Sequence, residues 1–510
     1  MFNNYKNKMN LLSQTIKKKI SVAVILTCLF FLPSTTKAYT INSVHGNLTY
    51  CDTMTRGIFI IWWDNDFNYS ATANLMLDSM LAFRNTCLTN LGMQDPLNAQ
   101  NGYYCNIYIH TTGDTTDFFT ANFPAWGNGV GGDVNGYPFM TLPNFVLNSN
   151  YAGGRWRNLA HETFHIFQSH GMWVITPGIY NTNDGGWFVE ASATWFAYTR
   201  YPNSVYSFVE SDILVRTPHV PLWLGWSNLP SYYPNNWQRQ VHQYALSTYL
   251  YYLTNNAGIS DSDLVSIFYS GTTLTPQEYL YNQIGGAALR NHFIDCAAHM
   301  TGGFDFILPS QHVAAQNEWN TYADQLDDNQ FIQTYTNTGS GGWYLPVDSL
   351  TTNAWAFNTY KLLNTNTQTY TFEINADVTG TYGDSSYFQG KVLVQNSITG
   401  ASFHDLVMSN NYQGSLTLNL TPNDTAASFI IASMPEIFVD VNPTFQLFRY
   451  QMRISAGTTG ILETGISSLP KFEIARYNVL GQKIDKNIGG LQLIVYNDGS
   501  TIKVFIQRQE

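Results

Sequence analysis

The sequence predicts an α+β chain with more than one folding unit, on three observations. Apolar residues recur at helical spacing in several long segments between 70 and 326. From about 340 onward, short alternating segments rich in Thr, Asn and Ser take over, the pattern of antiparallel strands. At 510 residues the chain also exceeds the ~250–300 residues that a single hydrophobic core serves. With 44% hydrophobic, 15% aromatic and 12% charged residues, it is an ordered globular chain and neither disordered nor coiled-coil.

Residues 1–38 read as an export signal: Lys17, Lys18 and Lys19 precede the apolar run "ISVAVILTCLFFL" (20–32), and small Ala38 ends "PSTTKA" at a plausible cleavage point. The run is shorter than the ~20 residues that span a bilayer, so no transmembrane segment is expected once the signal is removed. The signal holds Lys6, Lys8, Lys17, Lys18, Lys19 and Lys37 and no acid, which leaves the remainder more acidic than the −11 of the whole chain. No run of Lys or Arg follows, which excludes a nucleic-acid partner. Export permits disulfides; of Cys51, Cys87, Cys105 and Cys296, the pair Cys87–Cys105 is the favoured bridge.

Strand-like "RGIFIIWWDND" (56–66) is followed by a helix over 70–92 and a second strand, "CNIYIH" (105–110). A glycine-rich loop (125–136) then leads into "YPFMTLPNFVL" (137–147), whose two prolines suggest an edge strand. Gly127, Gly129, Gly131 and Gly132 form a candidate rim beside it. Helices are expected over 154–171, 187–200, 237–258, 286–300 and 312–326. The segments 369–378, 390–396, 415–420 and 428–434 read as an antiparallel sandwich, and "SAGTTG" (455–460) as a linker to a last β unit.

The chemistry concentrates in "HETFHIFQSH" (161–170). Residues four apart on a helix share one side, so His161 and His165 can aim two imidazoles at one metal ion, with Glu162 beside them to accept a proton. With 11 histidines in the chain, chance supplies only ~0.005 such H-E-x-x-H arrangements. A zinc site needs a third ligand. His170 is one position early for the extended three-histidine pattern, which would require Gly at 168 and His at 171, and it is expected to cap or solvate the helix end. Asp184 sits in "NTNDGG", a turn-forming context. Glu190, in the apolar helix "WFVEASATW", would be costly to bury unpaired; its competing role is an ion pair with Arg155 or Arg157.

"HETFH" followed by "WFVEASA" resembles the H-E-x-x-H then E-x-x-A arrangement of the gluzincin zinc metallopeptidases. The order of elements from about 57 to 330 is similar to the zincin layout, a small mixed sheet before the active-site helix and then a helical lower half. The stretch from about 57 to 456 also resembles exported bacterial zincin-like proteins with an appended β-sandwich. The resemblance implies Zn2+ held by His161, His165 and Glu190, Glu162 as general base, and an oxyanion-stabilising Tyr or His, for which Tyr244, His242 and Tyr249 are candidates and Tyr244 is favoured. It also implies an extended substrate pairing with the edge strand within 137–145. The aspartate that many gluzincins carry four residues after the glutamate ligand is Thr194 here, so support for the zinc histidines is expected from elsewhere.

The tail "FEIARYNVLGQKIDKNIGGLQLIVYNDGSTIKVFIQ" (472–507) reads as short strands separated by turns. Its "YNVLGQ" tract and Lys-Val-containing last strand resemble the carboxyl-terminal sorting domain of the type IX secretion pathway of Bacteroidota. The expected organisation is therefore a signal (1–38), a zincin-like metallopeptidase domain (39–335), a β-sandwich (336–457) and a sorting domain (464–510). Such a chain would be a secreted or cell-surface zinc endopeptidase acting on protein or peptide substrates, with the type IX secretion machinery as a partner. The alternative is an extracellular binding or adhesion module of the same fold, for instance one directed to carbohydrate, using an aromatic surface.

Overall fold

The computed structural model describes residues 39–40, 51–65, 67–110, 129–132, 135–147, 152–176, 179, 185–224, 236–322, 328–332, 335–337, 342–362, 368–376, 386–438, 447–457, 473–478, 490–496 and 501–506. The export signal expected at 1–38 lies outside them. The architecture is α+β with several antiparallel sheets. Two compact units divide it: Met1–Leu81 with Asp95–Asn144, and Ala82–Gln94 with Phe145–Glu510.

The first unit holds a five-stranded mixed sheet, β1 (Cys51–Arg56), β2 (Phe59–Asp64), β3 (Cys105–His110), β4 (Gly129–Gly132) and β5 (Pro138–Pro143), ordered β1-β2-β3-β5-β4. Strands β2, β3 and β5 are parallel, with β1 and β4 antiparallel at the two edges. "FIIWWD" is apolar almost throughout because β2 lies in the parallel centre, buried on both faces. The expected edge position of 137–147 is corrected: β4 pairs with β5 from Gly129↔Thr141 to Gly132↔Pro138 and takes the edge itself. Pro138 and Pro143 stand at the first and last positions of β5, where a missing N–H costs the ladder least.

Helix α1 (Ser70–Thr89) opens the helical series. In the second unit, α2 (Ala152–His170) packs on α3 (Gly186–Arg200), with the Phe164 ring stacked 4.7 Å from Phe196 and edge-on to Trp195. The helix expected over 237–258 is two helices, α4 (Asn236–Ala245) and α5 (Ser247–Asn255), separated at Leu246. Helices α6 (Pro276–Ile284), α7 (Gly286–Thr301) and α8 (Pro309–Tyr322) follow. α6 starts with a capping box, Thr275 accepting from the Glu278 N–H while the Glu278 carboxylate accepts from the Thr275 N–H.

Ten further strands, β6 (Tyr335–Asn337), β7 (Tyr344–Pro346), β8 (Ala356–Leu362), β9 (Thr369–Ala376), β10 (Phe388–Asn396), β11 (Gly400–Asp405), β12 (Val407–Met408), β13 (Gln413–Asn419), β14 (Asp424–Ser433) and β15 (Tyr450–Ala456), form two facing antiparallel sheets, β11-β10-β14-β8 and β12-β13-β9-β15-β7-β6. Strands β9 (Thr369–Ala376) and β15 (Tyr450–Ala456) alternate inward and outward residues, and Phe372 of one sheet meets Phe429 of the other at 5.6 Å. The linker expected at 455–460 therefore begins inside a strand. β8 (Ala356–Leu362), β10 (Phe388–Asn396) and β14 (Asp424–Ser433) are buried almost end to end, with α7 packed against their sheet. Buried Lys391 reaches Asp295 of α7 and Asp405 of β11, each at 2.6 Å.

Trp355 closes this junction. Its fully buried ring lies 5.5 Å from Trp223, 5.7 Å from Phe293 and 6.4 Å from Tyr281, and its indole N–H donates to the Pro435 carbonyl. Trp62, Trp63, Trp187, Trp195 and Trp319 are buried as well, so these aromatics build core and do not form a binding face. A three-stranded antiparallel sheet, β16 (Glu473–Asn478), β17 (Gly490–Tyr496) and β18 (Thr501–Ile506), completes the described chain.

Among the described residues there is no disulfide, so the expected Cys87–Cys105 bridge is not formed. The Cys105 thiol accepts from the Asn98 amide at 2.9 Å, and burial pushes the Cys87 thiol well up, away from the thiolate that disulfide chemistry needs. Among the described residues no helix is long and apolar enough to cross a membrane.

Candidate metal centre

On α2, His161 and His165 lie one turn apart with their rings 4.6 Å apart and nearly perpendicular, so that the two Nε2 atoms come within 3.0 Å. α3 lies against the same face of α2 and brings in Glu190, whose Oε2 is 3.3 Å from His161 Nε2 and 3.5 Å from His165 Nε2. One donor atom from each residue lies within 4.8 Å of the others, an arrangement that could hold a metal ion. The group is open to solvent on one side: the Glu190 side chain is 29% exposed, against 13% and 11% for the histidines.

The far sides of both rings are engaged. His161 Nδ1 lies 3.1 Å from Thr194 Oγ1, and His165 Nδ1 lies 2.5 Å from Gln168 Oε1. Both Nε2 atoms can then present lone pairs to the Glu190 oxygen, and three electron-pair donors at such distances repel unless a cation or a proton lies among them. Two imidazoles and a carboxylate are a donor set that suits zinc. Without a metal, a proton serves: burial opposes it, but the Glu190 carboxylate outweighs burial and pushes His165 up to about 9. Burial would raise Glu190, yet the facing imidazoles hold it well below the ordinary carboxylate range.

Glu162 is buried and, among the described residues, its Oε2 has no hydrogen-bond partner. Burial raises its pKa, against the pull of His161 and His165. Half-buried Tyr244 of α4 packs edge-on to His161 with ring centres 5.8 Å apart. His242 and Tyr249 instead line a separate cavity with Leu222, Phe293 and Trp355, which takes them away from the metal group.

His170 does not reach solvent at the helix end. It is buried with its ring 6.1 Å from Tyr269, and burial lowers its pKa. The α-helix ends there and continues as a π-helical turn, Gly171–Ile175. Arg157 leaves Glu190 to the histidines: it donates to Glu210 at 2.8 Å, and the Tyr198 hydroxyl donates to the other oxygen of that carboxylate. Asp184 and the Arg155 side chain lie outside the described residues.

Support for the histidines was expected from somewhere other than Thr194, yet Thr194 itself reaches His161. Gln168, which in the three-histidine pattern only marks the absence of a glycine, reaches His165. The signal for both was positional: Thr194 is one turn beyond Glu190, and Gln168 three residues beyond His165.

No protein-family model matches the chain, and no curated protein matches it. Among solved structures it is similar at 9% identity and a TM-score of 0.28 to the M60 catalytic domain with the CBM51-1 and CBM51-2 domains of Clostridium perfringens ZmpB, covering 90% of this chain and 68% of that one. A second likeness, at 9% identity and a TM-score of 0.13, is to the family GH115 4-O-methyl-alpha-glucuronidase BtGH115A, described as specific for decorated arabinogalactans, covering 72% of this chain and 54% of that one. Both likenesses are too slight to carry an argument.

Proposed function

We propose that the chain is an exported zinc-dependent endopeptidase, with His161, His165 and Glu190 as metal ligands and Glu162 as general base. The observation that supports this most is the convergence of three donor atoms, from two adjacent helices, next to a buried carboxylate with an unpaired oxygen. When bound, zinc supplies Lewis acidity, polarising a carbonyl and acidifying a water.

The rest falls to the protein. Glu162 Oε2 makes no hydrogen bond among the described residues, and burial raises its pKa, which makes the carboxylate a stronger base for taking a proton from the attacking water and handing it to the leaving amine. Tyr244 stands beside His161, where its phenol can donate to the oxyanion that forms on the scissile carbonyl. The exposed side of Glu190 gives a protein or peptide substrate its way in.

The same reading assigns 39–335 to a zincin-like catalytic domain, 336–457 to the appended sandwich and 464–510 to a type IX sorting domain, with 1–38 removed on export. The deciding experiment is Glu162→Ala in the purified mature protein. Zinc should stay near one equivalent while cleavage of a peptide library falls by roughly 10²–10⁴-fold. Undiminished cleavage in that variant would remove the mechanism.

A further inference from the structure

We infer that Gln168 is the positioning residue of this centre: one side chain that sets the tautomer of His165 and ties it to the backbone next to Glu190. The inference rests on the metal-ligand reading above.

Gln168 is fully buried, and each end of its amide has a different task. The nitrogen donates to the Val189 carbonyl at 3.0 Å and to Ser192 Oγ at 2.8 Å, both on α3. That fixes which way the amide faces, because its oxygen placed against the Val189 carbonyl would set two acceptors together. The oxygen is thereby turned to His165 Nδ1, which must carry the hydrogen, and Nε2 is left as the lone pair facing Glu190.

Only an amide of this length fits both demands. A carboxylate could accept from His165 but could not donate to Val189, and leucine or methionine would leave a buried imidazole N–H unmade and remove the cross-helix bond that Val189 accepts besides its bond within α3. Val189 immediately precedes Glu190. The amide is therefore a strut between the second ligand and the helix carrying the third, and it holds their separation as well as the ring orientation. Thr194, on α3 itself, also ties His161 to that helix, but its hydroxyl can donate or accept and so does not select the tautomer of the ring.

The test uses the full mature chain with Zn2+ or Co2+ as the probe, in wild type, Gln168→Met, Gln168→Glu and Ser192→Ala. Metal affinity is measured by chelator competition, and coordination by the visible absorption of the Co2+ form. Gln168→Met and Gln168→Glu should each weaken binding by about 10–100-fold, the range for residues that support metal ligands, and should change the Co2+ spectrum. Ser192→Ala should weaken it less, and it stands in for Gln168→Met if that variant does not fold.

Wild-type affinity and spectrum in folded Gln168 variants would overturn the inference while leaving the zinc reading intact. So would Gln168→Glu binding as tightly as wild type, since a carboxylate cannot make the bond to Val189. If wild type binds neither metal, or binds it equally well after His161→Ala, the zinc reading fails and the inference with it.

Discussion

A histidine can ligate through Nε2 only when its Nδ1 has somewhere to place a hydrogen. Here both partners are neutral, a threonine hydroxyl and a glutamine amide, where a carboxylate would make the imidazole more electron-rich. Tyr244 is the other residue whose role can be isolated. Tyr244→Phe keeps the ring against His161 and deletes only the donor, so kcat should fall by about 10²–10³-fold with KM and zinc content nearly unchanged. A kcat within a few-fold of wild type would remove the phenol from the reaction. His161, His165 and Glu190 were legible in sequence because spacing on a helix fixes direction and because a glutamate among apolar neighbours calls for a partner. The choice among Tyr244, His242 and Tyr249 was not legible, because their helix breaks at Leu246 and packing decides which side chain faces the metal group.

At the scale of elements, the end of α2 depends on a glycine. A Cβ on Gly171 would stand 2.5 Å from the Phe268 carbonyl oxygen, a contact with backbone that cannot swing aside. The approach is held from both sides: the Thr176 hydroxyl donates to that same carbonyl, and the Tyr269 hydroxyl donates to Phe167 of α2. Gly171→Ala should therefore cost about 1–3 kcal/mol, read as a lower denaturation midpoint at unchanged m-value. Stability equal to wild type would mean that the Phe268 backbone yields. The sequence marked Gly171 correctly as the end of the α-helix but gave no sign of the π-turn, which arises from tertiary contacts. β4, within the expected glycine-rich loop, likewise depends on tertiary contacts. "GVGG" has almost no strand propensity of its own, and only its pairing with β5 makes it a strand.

For the whole molecule, the mixed α+β character and the two-sheet sandwich were legible from periodicity, since alternation survives wherever one face of a strand meets solvent. The four-stranded sheet was harder to read, because helices cover its outer side and the alternation is lost. Acid should act on the interior behind this sheet. Burial lowers His242 to about 3 from an ordinary 6.5, so between those values the unfolded chain takes up a proton that the folded chain refuses. Stability is then full above pH 6.5 and falls on acidification, by about 1.4 kcal/mol per pH unit for this one group. His242→Leu should flatten that part of the pH dependence of urea unfolding, and an identical slope in the two proteins would show that His242 is not held neutral.

Trp355 gives the junction a meaning in descent as well as in packing. Its ring fills a core whose other walls, Trp223, Tyr281 and Phe293, belong to the helical part of the chain. An appendage borrowed from another gene needs a seam that can be cut, with a surface on each side already fit for water. This seam has none, for removing either side strips the other of its interior. The sandwich and helices α6 and α7 therefore share one interior at Trp355, and a cut between them would leave both incomplete.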